Sequence, residues 1–252
     1  MPAPSLGELG GLARSLAIYR SRPLRTRARR NLYRAFVKPG DLCFDIGAHA
    51  GNHTESWLGL GARVVALEPQ PQFMRLLRRL YGERQDVTLL EEAVGAEIGE
   101  ATLFISSRTP TVTSLSRDWI ASVGQTPSFR RVDWDRTADV RVTTLDALIA
   151  RFGEPAFCKI DVEGLEAEVL YGLSRPLRGL SFEVLPAARD VARACLVRLA
   201  ALGAYRFNVS VGETFRFLFP EWCDASALHD WLDRLAPEDR SGDIYCRLAP
   251  PP

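Results

Sequence analysis

Three groups of residues in this 252-residue chain combine types and spacing that can do chemistry. The first is Asp45-Ile46-Gly47-Ala48-His49-Ala50-Gly51, a glycine-bearing turn after a short apolar run. Glycine permits a tight turn and lets a ligand approach the backbone closely. A helix starting near Asn52 then aims free N–H groups at that ligand. The second is Leu67-Glu68-Pro69, where a carboxylate at a strand end can accept two hydrogen bonds from a ribose diol. The third is Lys159-Ile160-Asp161-Val162-Glu163, with Glu183 ending a neighbouring apolar run. Strand alternation puts Lys159 and Asp161 on one face.

The first turn lacks the three glycines of a dinucleotide loop, and no GxxxxGK[ST] stands anywhere in the chain. A pyrophosphate or triphosphate ligand is therefore not expected, which counts against a nicotinamide-dependent dehydrogenase. A nucleoside without phosphate points to S-adenosylmethionine. Asp45 would favour its cationic sulfonium and the turn amides would meet its carboxylate. At the third group, Asp161 or Glu163 reads as a base or an acceptor anchor, with Lys159 tuning them. The competing reading is a partly buried ion pair of Lys159 with Asp161 or Glu183 that only holds the sheet together. Only two of the 32 basic residues are lysine, Lys38 and Lys159, which favours a specific need for a compact charge in this strand.

The three histidines are weaker signals. His229 falls in a late helix and reads as surface. His49 and His53 lie in the first turn, where capping is favoured over a base role. Their spacing, with no third ligand nearby, suggests no metal site.

These residues need a frame. Apolar runs at 42–46, 64–67, 87–91, 156–162, 180–184, 205–209 and 244–248 alternate with helical stripes such as Phe73, Leu76, Leu77 and Leu80. That alternation predicts a mostly parallel sheet with helices on both faces, an α/β doubly wound fold. Residues 106–143, after a strand at 102–105, read as a polar irregular insert with six arginines and four aspartates. A lid over the site and a surface loop are both open readings. Thr143 with Asp146 is expected to cap the next helix, which ends at Gly153.

Before the sheet, Ser5 and Glu8 form a capping-box pattern ahead of Leu9, Leu12 and Leu16. Pro23 suits a first helical position, and Leu24, Ala28, Leu32, Ala35 and Phe36 make a second stripe. Nine basic residues and no acid lie between Arg14 and Lys38, although the whole chain carries only +1. A solvated helix face is favoured over an arm for an anionic surface. The domain division is thus a basic helical segment over 1–37 and a catalytic domain over 38–252.

With 46% hydrophobic and 25% charged residues the composition is that of a globular protein, and no run of 18 apolar residues occurs. The N-terminal stretch has no basic region ahead of an apolar one, so no secretory signal is expected. Five scattered cysteines without a CxxC pair suggest neither a disulfide framework nor zinc, and a cytoplasmic setting.

Three blocks together resemble one family. Asp45-Ile46-Gly47-Ala48-His49-Ala50-Gly51-Asn52-His53-Thr54, Ala66-Leu67-Glu68-Pro69-Gln70-Pro71 and Lys159-Ile160-Asp161-Val162-Glu163-Gly164 are similar to the FkbM family of class I methyltransferases. Thr144-Leu145-Asp146 and Gly242-Asp243-Ile244-Tyr245 add to the likeness, which spans roughly residues 38 to 248. The resemblance implies a Rossmann-like, seven-stranded, mostly parallel sheet with the last strand antiparallel. It implies S-adenosylmethionine as donor and a hydroxyl acceptor on a sugar, glycan or natural product. Asp45, Gly47 and Glu68 carry over as donor-binding residues. His49, Gly51, Asn52, Thr54, Pro69 and Ala93 complete the expected donor site. His49 stands where the family usually has Asn. The other readings are a binding module without turnover and, lower, a nucleic-acid methyltransferase, since no base-stacking motif accompanies the basic run.

Overall fold

A computed structural model of the chain describes residues 23–126 and 129–250. The helix expected around Leu9, Leu12 and Leu16 lies outside them.

Seven strands form the central sheet. In chain order they are β1 (Leu42–Ile46), β2 (Arg63–Leu67), β3 (Val87–Leu90), β7 (Phe157–Ile160), β8 (Gly179–Val184), β9 (Tyr205–Val211) and β10 (Gly242–Leu248). Their spatial order is β3-β2-β1-β7-β8-β10-β9. All neighbours are parallel except β10, which runs antiparallel to both β8 and β9. The expected α/β sheet with an antiparallel last strand is therefore the observed one, with strand ends within a few residues of expectation.

β1 is buried at all five positions because helices cover both faces of a parallel sheet. Alternation divides its side chains. Phe44 and Ile46 join Leu67, Ile160, Phe182 and Ile244 in one core, while Cys43 joins Val64, Phe157 and Tyr245 in the other. The second core carries α1 (Pro23–Tyr33), α2 (Asn52–Leu58) and α3 (Pro71–Tyr81). Tyr33 of α1 is fully buried there, 5.0 Å from Trp57 and 5.3 Å from Phe157 between ring centroids. Such aromatic pairs contribute ~1 kcal/mol each beyond their buried area.

The basic segment is thus docked on the sheet domain through α1, its described part. Leu32 and Tyr33 are buried, and Arg25 pairs with Glu213. Leu24, expected in the apolar stripe, lies in the first turn of the helix and is 82% exposed. Arg27, Arg34 and Lys38 face solvent.

The insert is more ordered than its composition suggested. Residues 136–143 are a strand, β6 (Arg136–Thr143), in a second sheet of order β4-β6-β5 with β4 (Ala93–Val94) and β5 (Gly99–Ile105). Arginine and aspartate on its exposed face hide the alternation of its apolar residues. Between β5 and β6 lie a short 3-10 turn at Pro110–Val112 and α4 (Arg117–Val123). Trp119 and Phe129 pack edge to face at 5.7 Å, and Trp119 sits so close to Gly164 that a Cβ there would be 2.3 Å from the indole.

The helix after β6, α5 (Leu145–Phe152), is capped by Thr144, whose hydroxyl accepts from Ala147 N at 3.1 Å. Thr143, the expected cap, is the last residue of β6, and its carbonyl is taken by Gly95 N at 2.9 Å. α6 (Glu166–Tyr171), α7 (Arg189–Leu202) and α8 (Ala225–Arg234) complete the layers. No helix among the described residues is long and apolar enough to cross a membrane.

Candidate functional site

β1 and β7 are neighbours, but the chain visits β2 and β3 between them on the far side of β1. The strand order reverses there, and the crevice at the carboxyl ends of a doubly wound sheet opens at such a point. The turns after β1, β2 and β7 meet in it.

The β1 turn is fixed by close packing. Gly47 has φ 80°, and a Cβ on it would stand 1.9 Å from the carbonyl oxygen of Asp161. Gly47 N and Ala48 N both donate to Leu67 O, at 3.0 and 2.9 Å. Gly51 has φ 79°, and a Cβ there would strike Tyr81 and Leu77 at 2.8 and 2.9 Å. His49 is also left-handed, φ 47°, and its N donates to Glu68 Oε2 at 2.7 Å. Its ring lies 3.8 Å from Phe73 between centroids, and burial pushes the imidazole down to about 4.

Asp45 stands behind this turn rather than in the cavity. Its Oδ2 accepts from Thr54 N at 3.0 Å and Thr54 Oγ1 at 2.5 Å, which places a carboxylate at the start of α2. Burial pushes the Asp45 carboxyl up to about 6, against the two Thr54 bonds that hold it down. Asp45, Gly51 and Thr54 are therefore supports of the turn, and a direct approach of Asp45 to a ligand is not what the geometry presents.

Glu68 faces the crevice. It is 2% exposed, with Oε1 accepting from Gln70 N at 2.8 Å and Oε2 from His49 N. Each oxygen keeps a second acceptor direction. Burial pushes this carboxyl up to about 7, opposed by the two amides.

At the β7 end, Asp161, Glu163 and Glu183 bring their carboxylates within 4.8 Å of one another, and they form the single His/Cys/Asp/Glu group with metal-compatible spacing among the described residues. Glu163 has φ 53°, and its carbonyl accepts from Ser114 Oγ at 2.6 Å. Burial, then the neighbouring carboxylates, pushes Glu163 and Glu183 well above the usual range. Lys159, 1% exposed, reaches Asp161 Oδ2 at 3.1 Å and Asp243 Oδ1 at 3.0 Å. Burial opposes its charge, but Asp161, Asp243 and Glu183 outweigh that and hold the ammonium charged.

One cavity of about 360 Å³ joins these parts. It falls in the range of small-molecule sites. Gly47, His49, Asn52, Glu68, Pro69 and Ala93 of the expected donor set line it, as do Asp161, Glu163 and Glu183, whereas Lys159 lies behind them. Other lining residues were not among the expected site residues. Thr113 and Ser114 come from the insert, and Asp243 from the start of β10. Gln70 Nε2 donates to Pro110 O at 3.1 Å and Thr113 Oγ1 to Gln70 Oε1 at 3.0 Å, so the insert is tied to both rims. His53 also lines the cavity, and its Nδ1 is 2.6 Å from Tyr33 Oη. Burial, then Arg29 and Lys159, pushes its imidazole well below the ordinary range.

A sheet of this order with a cavity at its switch point is a Rossmann-like, doubly wound ligand-binding fold. The model of the methyltransferase FkbM domain matches residues 45–234, and the chain belongs to that family. Among solved structures it is similar to a precorrin-6y C5,15-methyltransferase from Geobacter metallireducens, at 13% identity over 89% of this chain and 87% of that one, TM-score 0.49. A TehB-like SAM-dependent methyltransferase from Corynebacterium glutamicum follows at 9% identity, 94% of both chains and TM-score 0.47. An rRNA methylase from Streptococcus thermophilus is similar at 10% identity, 91% and 98% coverage and TM-score 0.46. Among curated proteins none matches this chain.

Proposed function

We propose that the cavity takes S-adenosylmethionine and that the protein methylates a hydroxyl oxygen of a sugar, glycan or natural-product acceptor. The observation that carries this reading is the placement of Glu68 after β2 and of the Asp161–Glu163–Glu183 cluster at the ends of β7 and β8, on either side of β1, around one cavity. Glu68 suits a ribose diol. Ala93, Val94 and Leu103 offer apolar wall to a base. Asn52 Oδ1 lines the cavity side of α2, is buried and has no hydrogen-bond partner, which fits a ligand ammonium.

S-adenosylmethionine supplies an electrophilic methyl group on a sulfonium. The acid cluster favours positive charge beside it and gives an acceptor hydroxyl a carboxylate to receive its proton. Asp161 and Glu163 are the proposed acceptor-side groups, Glu183 shares their proton, and Lys159 holds Asp161 in place. Metal is not required by this scheme. The insert over 106–135, tied to both rims, is the proposed cover that excludes water. The docked Arg25 weakens the case for a nucleic-acid track along α1, and the exposed Arg27, Arg34 and Lys38 suit contact with an anionic surface.

The test is a donor-consumption screen of the purified protein against sugars, lipids and secondary metabolites, read by mass spectrometry. Formation of S-adenosylhomocysteine with an acceptor 14 Da heavier is expected ~ the mass of one CH₂ added. Donor binding without turnover on any hydroxylated acceptor would leave a binding module and reject the enzymatic reading.

A further inference from the structure

Arg29 belongs by sequence to the basic run, yet the fold turns it inward. It is 2% exposed and lines the cavity. Its Nε donates to Ser56 Oγ at 2.7 Å, and that hydroxyl donates in turn to Asn52 O at 3.0 Å. Its Cζ lies 5.3 Å from the centroid of the Phe215 ring. These contacts lock the side chain against α2 and leave Nη2 buried with no hydrogen-bond partner. Among the described residues no other arginine or lysine lines the cavity, although Glu68, Asp161, Glu163, Glu183 and Asp243 all do. A buried donor on a charged group is costly to leave unmade, so this one is suited to an anion brought by a ligand.

We infer that Arg29 holds the α-carboxylate of the donor's methionine tail through Nη2. The inference rests on the donor reading above. The tail is a zwitterion, and this wall of the cavity offers both complements. Arg29 supplies the cationic fork, and the unpartnered Asn52 Oδ1 supplies an acceptor for the ammonium, with Ser56 joining the two residues. A fork preorganised by Ser56 and Phe215 loses little freedom on binding. The N-terminal helix thereby becomes part of the donor site.

The experiment is calorimetric binding of S-adenosylhomocysteine, its decarboxylated analogue and 5′-methylthioadenosine to the wild-type chain, Arg29→Met and Arg29→Lys. Arg29→Met should bind S-adenosylhomocysteine about 10–100-fold more weakly, the range for a lost charge-assisted hydrogen bond. Its affinity for the two ligands without a carboxylate should match wild type. Arg29→Lys should fall between and keep the same ligand ranking. Equal losses for all three ligands would assign Arg29 a structural role and overturn the inference. So would undiminished affinity for S-adenosylhomocysteine, or an effect confined to acceptor KM. If Arg29→Met does not fold, the wild-type preference for the carboxylate-bearing ligand and its reduction in Arg29→Lys decide the matter. A wild-type chain that binds none of the ligands instead refutes the donor reading itself.

Discussion

The ammonium of Lys159 lies 3.0 Å from Oδ1 of Asp243, joining the middle of the sheet to its antiparallel strand. The same ammonium holds Asp161 at the cavity rim. Removing one partner of a buried ion pair leaves the other uncompensated, which costs ~3–5 kcal/mol. Lys159→Met should lower unfolding free energy by about that amount in urea titrations. Lys159→Met combined with Asp243→Asn should recover part of the loss, since the stranded carboxylate is gone. A single variant as stable as wild type would mean that the pair is held in water rather than in the sheet.

Glu68 carries two tasks, which two substitutions separate. Glu68→Gln keeps one acceptor oxygen for the turn but loses the charge that a ribose hydroxyl would meet. It should bind S-adenosylmethionine about 10–100-fold more weakly in calorimetry, with an unchanged circular dichroism spectrum. Glu68→Ala strands the amides of His49 and Gln70 as well. It should lose a further ~1–3 kcal/mol of stability. Wild-type affinity in both would remove the ribose assignment.

Buried carboxyls also set a pH dependence. Glu68 rises to about 7 and Asp45 to about 6 in the folded chain, from ordinary carboxyl values. The folded state therefore holds more protons than the unfolded one between those limits, and stability falls as pH rises through that window. The contribution is complete near pH 4 and gone above about pH 7. His49 and His53, held neutral by burial, oppose this slope below about pH 6.5, so the melting temperature of the ligand-free chain should fall from about pH 6.5 to pH 8, and Glu68→Gln should flatten that fall. Donor affinity should run the other way and increase with pH, because ribose hydroxyls donate to the ionised form. A melting temperature that rises over this range would contradict the burial of these groups.

The sheet was legible because its strands are short apolar runs separated by helical stripes, and a parallel sheet covered on both faces demands that pattern. The crevice was legible because glycines at 47 and 51 mark places where a side chain would collide with Asp161, Tyr81 or Leu77. β6 was not, since Asp139 and Arg141 on its exposed face, and Arg136 at its start, mask its period. Nor was the division of labour within the first block. Asp45 and Glu68 are both acids at strand ends, and only packing shows that Thr54 occupies one while the other faces the cavity. Arg29 and Asp243, far apart in sequence, reach the same cavity because α1 and β10 flank it. No local pattern could announce that, although a lone Lys159 amid arginines did mark a buried charge.

Asp161 and Glu163 are separable by their environments. Both should retain donor binding within a few-fold when changed to Asn and Gln, because the donor-side contacts lie elsewhere. Each should lose turnover, by ~10²–10⁴-fold for a group that takes the acceptor proton. The pH profile then assigns the role. Glu163 is pushed up by burial and by Glu183 and Asp161, so a base at Glu163 makes turnover rise with pH through an apparent pKa above the ordinary carboxylate range. Asp161→Asn removes one of those like charges and should move the rising limb to lower pH, while Glu163→Gln should abolish the limb. A limb that stays fixed in Asp161→Asn, or survives in Glu163→Gln, places the proton acceptor on another residue of the cavity.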